Sequence, residues 1–184
     1  MANMRIRPSS GVGNQLILEN QAGTTVLSTS DTGATLTSNV DFPAGHVIQV
    51  VSNSPDLAQT STSSTSYVTT GLSQAITPAA TSSKIYITVT INVSVASAAG
   101  CMLTIYRDST NLAPGGNDSS HAMARLYVNG ASDTWENAAL QYLDSPNTTS
   151  AITYACYYKA ETGSSSLYAG GWTAPTITLM EIAG

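Results

Sequence analysis

Charge is what this chain has least of. Lysine and arginine number 6 and aspartate and glutamate 11, so charged residues fill 9% of 184 positions, against roughly a quarter in an ordinary globular domain. Six cations spread thinly over a chain of formal charge −5 form no basic stripe, which argues against a nucleic-acid partner. No apolar run approaches the ~20 residues of a membrane-spanning helix, so no membrane partner is expected, and the first residues lack the apolar segment of a signal peptide. Cysteine is scarce too: Cys101 and Cys156 stand alone. Two are too few for a disulfide framework and these lie too far apart for a metal-ligand pair. Buried reduced thiols are the expectation, and a bond would require the two to face each other across neighbouring strands. The two histidines, His46 and His121, sit in no serine, cysteine or metal motif, and no nucleophile elbow, zinc-protease helix or phosphate loop occurs. The expectation is a protein that is not an enzyme and uses no cofactor and no metal.

Hydroxyl groups fill the gap that charge leaves, with 25 serines and 25 threonines. A disordered chain would be poor in apolar residues and rich in charge, whereas this one is 42% hydrophobic. Its longest regular stretch is residues 84–95. Ile85, Ile87, Val89, Ile91, Val93 and Val95 alternate with Tyr86, Thr88, Thr90, Asn92 and Ser94, the period of a strand with one buried face. β-branched side chains dominate, as a pleated surface favours. Such a strand needs partners on both edges and a second layer over its apolar face.

Further strands are expected at 46–52, 67–77 (with a bulge at Gly71), 101–106, 122–128, 135–143, 152–159 and 176–182. Residues 53–66, 107–120, 144–150 and 161–172 read as polar loops. Residues 78–83 read as a hairpin connection into the long strand, and Asn129-Gly130 as a hairpin-type turn. No helical period occurs. The fold class is all-β, an antiparallel β-sandwich of jelly-roll type.

The first 40 residues follow another rule. Gly13, Gly23 and Gly33 are each followed three places on by an apolar residue, Leu16, Val26 and Leu36. A ten-residue unit cannot bury a core within one chain, so it implies stacking or winding with other chains. Phe42-Pro43-Ala44-Gly45 interrupts the pattern and divides a shaft or anchor, 1–41, from a head domain, 42–184. Arg5 and Arg7, half of the arginines, make the leader a basic tip suited to docking on another protein.

Among polar residues, Asp133 and Glu136 bracket Trp135, and Trp172 lies in the 161–172 loop. Tryptophan offers a flat face for stacking on a sugar ring, and carboxylates accept hydrogen bonds from sugar hydroxyls. These four are the candidate receptor-binding residues. The competing reading of Trp135 is a plug at the rim of the core. Gly115-Gly116-Asn117-Asp118 is too poor in ligands for a calcium loop and reads as a tight turn. Asn92, Asn117 and Asn147 match the glycosylation triplet as a matter of composition.

Three stretches together carry a family resemblance. Ile76-Thr77-Pro78, then Ser82-Ser83-Lys84-Ile85 and the alternating strand, resembles the first hairpin of small phage virion proteins with a jelly-roll domain. Leu103-Thr104-Ile105-Tyr106-Arg107-Asp108 is similar to their next strand and its exit, and Thr176-Ile177-Thr178-Leu179-Met180-Glu181-Ile182 to their closing strand. The resemblance implies a homotrimer built like the tumour-necrosis-factor jelly roll, located on the surface of the phage particle. It would be a tail fibre joined to other virion proteins through its N-terminus, with host-surface glycan as the outward partner. A capsid decoration or cement protein, a head fibre, and a lectin-like or carbohydrate-active domain are the alternatives.

Overall fold

The computed structural model describes residues 7–8, 16–30, 33–36, 43–97, 99–113, 121–130, 132–161, 167–169 and 173–184. Gly13, Arg5, Trp172 and the 115–118 turn lie outside them. The chain divides into two compact units, Met1–Pro43 and Ala44–Gly184.

In the first unit, strands β1 (Arg7–Pro8), β2 (Leu16–Glu19), β3 (Thr25–Ser30) and β4 (Gly33–Leu36) form one antiparallel sheet in chain order. Gly23 takes φ +78° in the β2–β3 turn, a conformation that suits glycine. The Asn20 side chain closes that turn by accepting from the N–H groups of Ala22 and Thr24 at 3.0 and 2.9 Å. Gly33, by contrast, lies in β4 opposite Ser30. Equal spacing therefore gives the two glycines different roles. Cross-strand pairing sets Leu18 opposite Leu27 and Leu27 opposite Leu36, so Leu36 shares a face with Leu16, two residues before Leu18, while Val26 falls at a register shift in the β2–β3 ladder. The ten-residue period marks hairpins rather than a single apolar stripe, because pairing register, not spacing, decides the face.

The second unit holds two antiparallel sheets. In the first sheet, β8 (Lys84–Val95) is paired over Ile85–Val95 with the whole of β12 (Thr134–Asp144). Its other edge is shared: β15 (Thr176–Ile182) takes Lys84–Thr90 and β14 (Leu167–Ala169) takes Val93–Val95. Beyond them lie β5 (Val47–Asn53) and β6 (Thr60–Thr62) respectively. In the second sheet, β13 (Ile152–Ala160) stands between β7 (Val68–Ile76) and β9 (Gly100–Arg107). The far edge of β9 pairs with β10 (Thr110–Asn111) and β11 (Ala124–Tyr127). All six apolar residues of β8 are buried in one core with Leu72, Leu103, Ile105, Tyr154, Tyr158, Ile177 and Leu179, the arrangement of a β-sandwich.

Two connections differ from the sequence reading. Residues 78–83 do not make a hairpin, since β7 and β8 belong to different sheets; nor does Asn129-Gly130, which joins β11 to β12 across the sandwich. Turn chemistry states that the chain reverses, not which sheet it reverses into. The bulge at Gly71 is present. Register with β13 shifts there, Gly71 has φ +87°, and the buried Thr70 hydroxyl donates to Cys156 O at 2.9 Å. Cys156 pairs with Ile105, whereas Cys101 pairs with Ala160 four residues further along β13. The thiols are free and buried, and burial pushes both up to about 12.

Two polar contacts tie the layers together. Asp144, buried at the end of β12, accepts from Arg107 Nη1 at 3.0 and 2.8 Å and from the Tyr154 hydroxyl at 2.7 Å. Burial first, then the Asp144 hydrogen bond, raises the Tyr154 hydroxyl and keeps it a donor. Glu181, fully buried in β15, accepts from Gln49 Nε2 at 2.6 Å and from the Ala79 N–H at 2.7 Å. Burial alone would raise its carboxyl; the polar groups gathered around it, the Gln49 amide and the Ala79 N–H among them, outweigh that and hold it below the ordinary glutamate value.

A depressed folded-state value means that Glu181 contributes stability above the ordinary glutamate range, and that the contribution is lost as pH falls through the folded-state value. The melting temperature is expected to drop below about pH 4.3, and Glu181→Gln is expected to flatten that drop. At neutral pH the same variant should cost about 1–3 kcal/mol, because a charged hydrogen-bonded acceptor is lost. Melting curves of both proteins between acid and neutral pH check this; parallel curves would remove Glu181 from the account.

Candidate functional site

The residues singled out around Trp135 do not converge. β12 begins at Thr134, so Trp135 and Glu136 obey strand alternation and point to opposite faces. Trp135 pairs with Ser94 on the outer face of the first sheet and is 42% exposed, while Glu136 pairs with Val93 on the face that carries the core. Asp133 has a local task. Its Oδ1 accepts from the Ser97 N–H at 3.0 Å, and the Ser97 hydroxyl donates to Gly130 O at 2.8 Å, which joins two neighbouring loops. Trp135 is thus outside the core rather than a plug in it, but without the two carboxylates beside it. Arg7 lies in β1 opposite Ile17.

What the structure does assemble is the whole outer face around Trp135. Register across β12, β8, β15 and β5 aligns Leu143, Tyr86, Met180 and Val50 in one row. Leu143 is 48% and Val50 55% exposed. Val47, opposite Ile182 at one end of the sheet, and Ile48 beside it are also exposed. The next row is Gln141, Thr88, Thr178 and Ser52. Its polar groups are engaged within the sheet. The Tyr86 hydroxyl donates to Gln141 Oε1 at 3.0 Å, and Ser52 and Thr178 share a hydrogen bond of 2.9 Å. Alternation leaves Lys84, at one end of β8, as the charged residue of this face among the strands described, because Glu136, Asp144 and Glu181 all fall on the opposite side. Apart from Lys84 at its end, the face is uncharged, partly apolar and internally hydrogen-bonded.

In the sequence the even positions of β8 read only as polar or amphipathic. Leu143, Met180 and Val50 each lie in a separate stretch, and nothing local says that they form a row. The signal that was present is that residues 47–51 are apolar on both strand faces, which a half-buried edge strand does not require.

Chemistry of other kinds finds no assembly among the described residues. No group of three or more His, Cys, Asp or Glu there is placed to hold a metal ion. His121 O accepts from the Tyr67 hydroxyl at 2.6 Å, and His46 O from the Ala183 N–H at 2.8 Å.

Because Trp135 projects from the sheet, Trp135→Ala is expected to lower stability by less than about 1 kcal/mol, whereas truncating a core tryptophan costs about 3–5 kcal/mol. Denaturant unfolding of the variant measures this, and a loss in the core range would return Trp135 to the interior. No protein-family model matches the chain and no curated protein is significantly similar to it.

Proposed function

We propose that the protein is a structural component of a phage virion: a homotrimeric tail fibre attached to the particle through its N-terminal unit, with a jelly-roll head turned to the host surface. The observation that carries the self-association is the charge-poor outer face of the first sheet, with its row of Leu143, Tyr86, Met180 and Val50. On a chain of net charge −5 copies repel one another, and a face whose described strands carry no carboxylate, and a single cation, Lys84, at its end, is the surface where two can meet at least cost. A sheet four strands wide presents on the order of 500 Å2 in plan, comparable in scale with the ~800 Å2 per partner of a stable interface. The strand order β5-β15-β8-β12 facing β7-β13-β9-β11 supports the jelly-roll reading, since most connections cross between the sheets as in paired Greek keys. Hydroxyl-rich, charge-poor composition supports it too. Fold does not by itself give function, so the virion assignment rests on the sequence resemblance. A capsid decoration or cement protein, or a head fibre, would use the same head and differ in its attachment point.

Light scattering is expected to give three times the chain mass of 19.0 kDa at micromolar concentration. Tyr86→Arg together with Leu143→Asp should shift the mass to one chain while far-UV circular dichroism remains that of a β protein. A wild-type monomer would sink the proposal. Deleting residues 1–40 should leave a folded head that no longer joins the particle, and imaging particles with a labelled N-terminus separates tail from capsid attachment. A truncated protein that still incorporates normally would refute the anchoring role.

A further inference from the structure

The outer face of the second sheet differs from that of the first. Alternation along β13 sends Tyr157 and Lys159 outward. Pairing sets Tyr157 opposite Thr104 on one side and Thr69 on the other, and Ala155 opposite Tyr106. Small neighbours leave the rings room to meet over them: Tyr106 and Tyr157 lie 4.2 Å apart between centroids and 31° from parallel, and Tyr67 meets Tyr106 edge-on at 6.0 Å. All three rings are partly exposed. The Lys159 ammonium lies 4.9 Å over the Tyr67 ring.

Charge bookkeeping makes this cation distinctive. Arg107 is paired with Asp144 and Arg125 with Glu161. Lys159, 5% exposed, has an aromatic face beside it and no ion-paired carboxylate among the described residues. A cation taken out of water is screened weakly, so its field extends over the rings even where the ammonium itself is covered. An array of phenol rings with polar edges, under a positive field on an acidic protein, favours a ligand that has apolar C–H faces, many hydroxyls and a negative charge.

We propose that the face around Tyr67, Tyr106 and Tyr157 is a binding site for an acidic saccharide, a hexuronate-type sugar whose ring stacks on the tyrosines while the Lys159 charge selects its carboxylate. This goes beyond the virion reading and stands without it. It also places sugar recognition on the opposite sheet from Trp135.

The test uses the full chain and two probes, a hexuronate trisaccharide and a neutral hexose trisaccharide, followed by ligand-observed NMR and calorimetry. Saturation transfer from tyrosine ring protons to the acidic probe is expected in the unmutated protein, so the proposal does not depend on any variant folding. The neutral probe should bind about tenfold more weakly, a difference of about 1.4 kcal/mol. Added salt should narrow the gap. Tyr157→Ala should weaken the acidic probe tenfold or more, Tyr157→Phe should retain it, and Lys159→Gln should bring the two probes towards equal affinity. Absence of binding by either probe at about 10 mM, where even millimolar affinity registers, overturns the site. Equal binding of acidic and neutral probes overturns the role of Lys159. Loss of binding in Trp135→Ala, with Tyr157→Ala unaffected, overturns the placement.

Discussion

The second unit depends on a single constraint, the unbroken two-residue period of β8. Its eleven-residue register with β12 contains no bulge, so a slip of one position would turn six buried aliphatic side chains into water and six polar or amphipathic ones into the core. At about 1.5–3 kcal/mol for each buried aliphatic side chain, that penalty rivals the whole stability of a domain. Register here is therefore fixed by burial, and the strands that pair with β8 inherit it. The row of Leu143, Tyr86, Met180 and Val50 on the outside is as rigidly specified as the core on the inside, although no core contact holds it.

Hydrophobic burial sets register but discriminates poorly between ways of stacking two sheets. That discrimination falls to the two buried carboxylates. Asp144 gathers a guanidinium and a phenol from the second sheet, and Glu181 gathers the Gln49 amide and the β7–β8 corner. Each would be left desolvated and unpaired in a shifted sandwich, which costs more than a misplaced aliphatic side chain. A chain with so few charges places two of them where orientation is decided.

This division explains what could be read in the sequence. Strand periods were legible because they are local, and the long strand, the closing strand and the Gly71 bulge stand where the residues indicate. The short strands β6 and β14 were hidden in serine-rich segments, where three residues of alternation carry no signal. β10 was hidden for another reason: its turn runs through Asp108 at φ +50°, held by hydrogen bonds between its N–H and carboxylate and the backbone of Thr153, with no glycine to announce it. Sheet membership was not legible at residues 78–83 or at Asn129-Gly130, because it depends on contacts as distant as Ala79 with Glu181. The Trp135 constellation failed on alternation, since neighbours in a strand share a sequence but not a face. The tyrosine array was missed because Tyr67, Tyr106 and Tyr157 are separated by loops and united by pairing.

The two ends of the second unit lie side by side. β5 leaves the unit boundary and β15 finishes the chain as antiparallel neighbours, with Gly45 N–H donating to Ala183 O and Ala183 N–H to His46 O. Tension applied between these ends would act across that pair rather than along it, opening hydrogen bonds one after another like a zip. Tension that enters through the front of β5 and leaves through the charge-poor sheet face would instead shear many bonds at once. The same fold is thus soft in one direction of pull and stiff in another, and the route of the load decides which is felt.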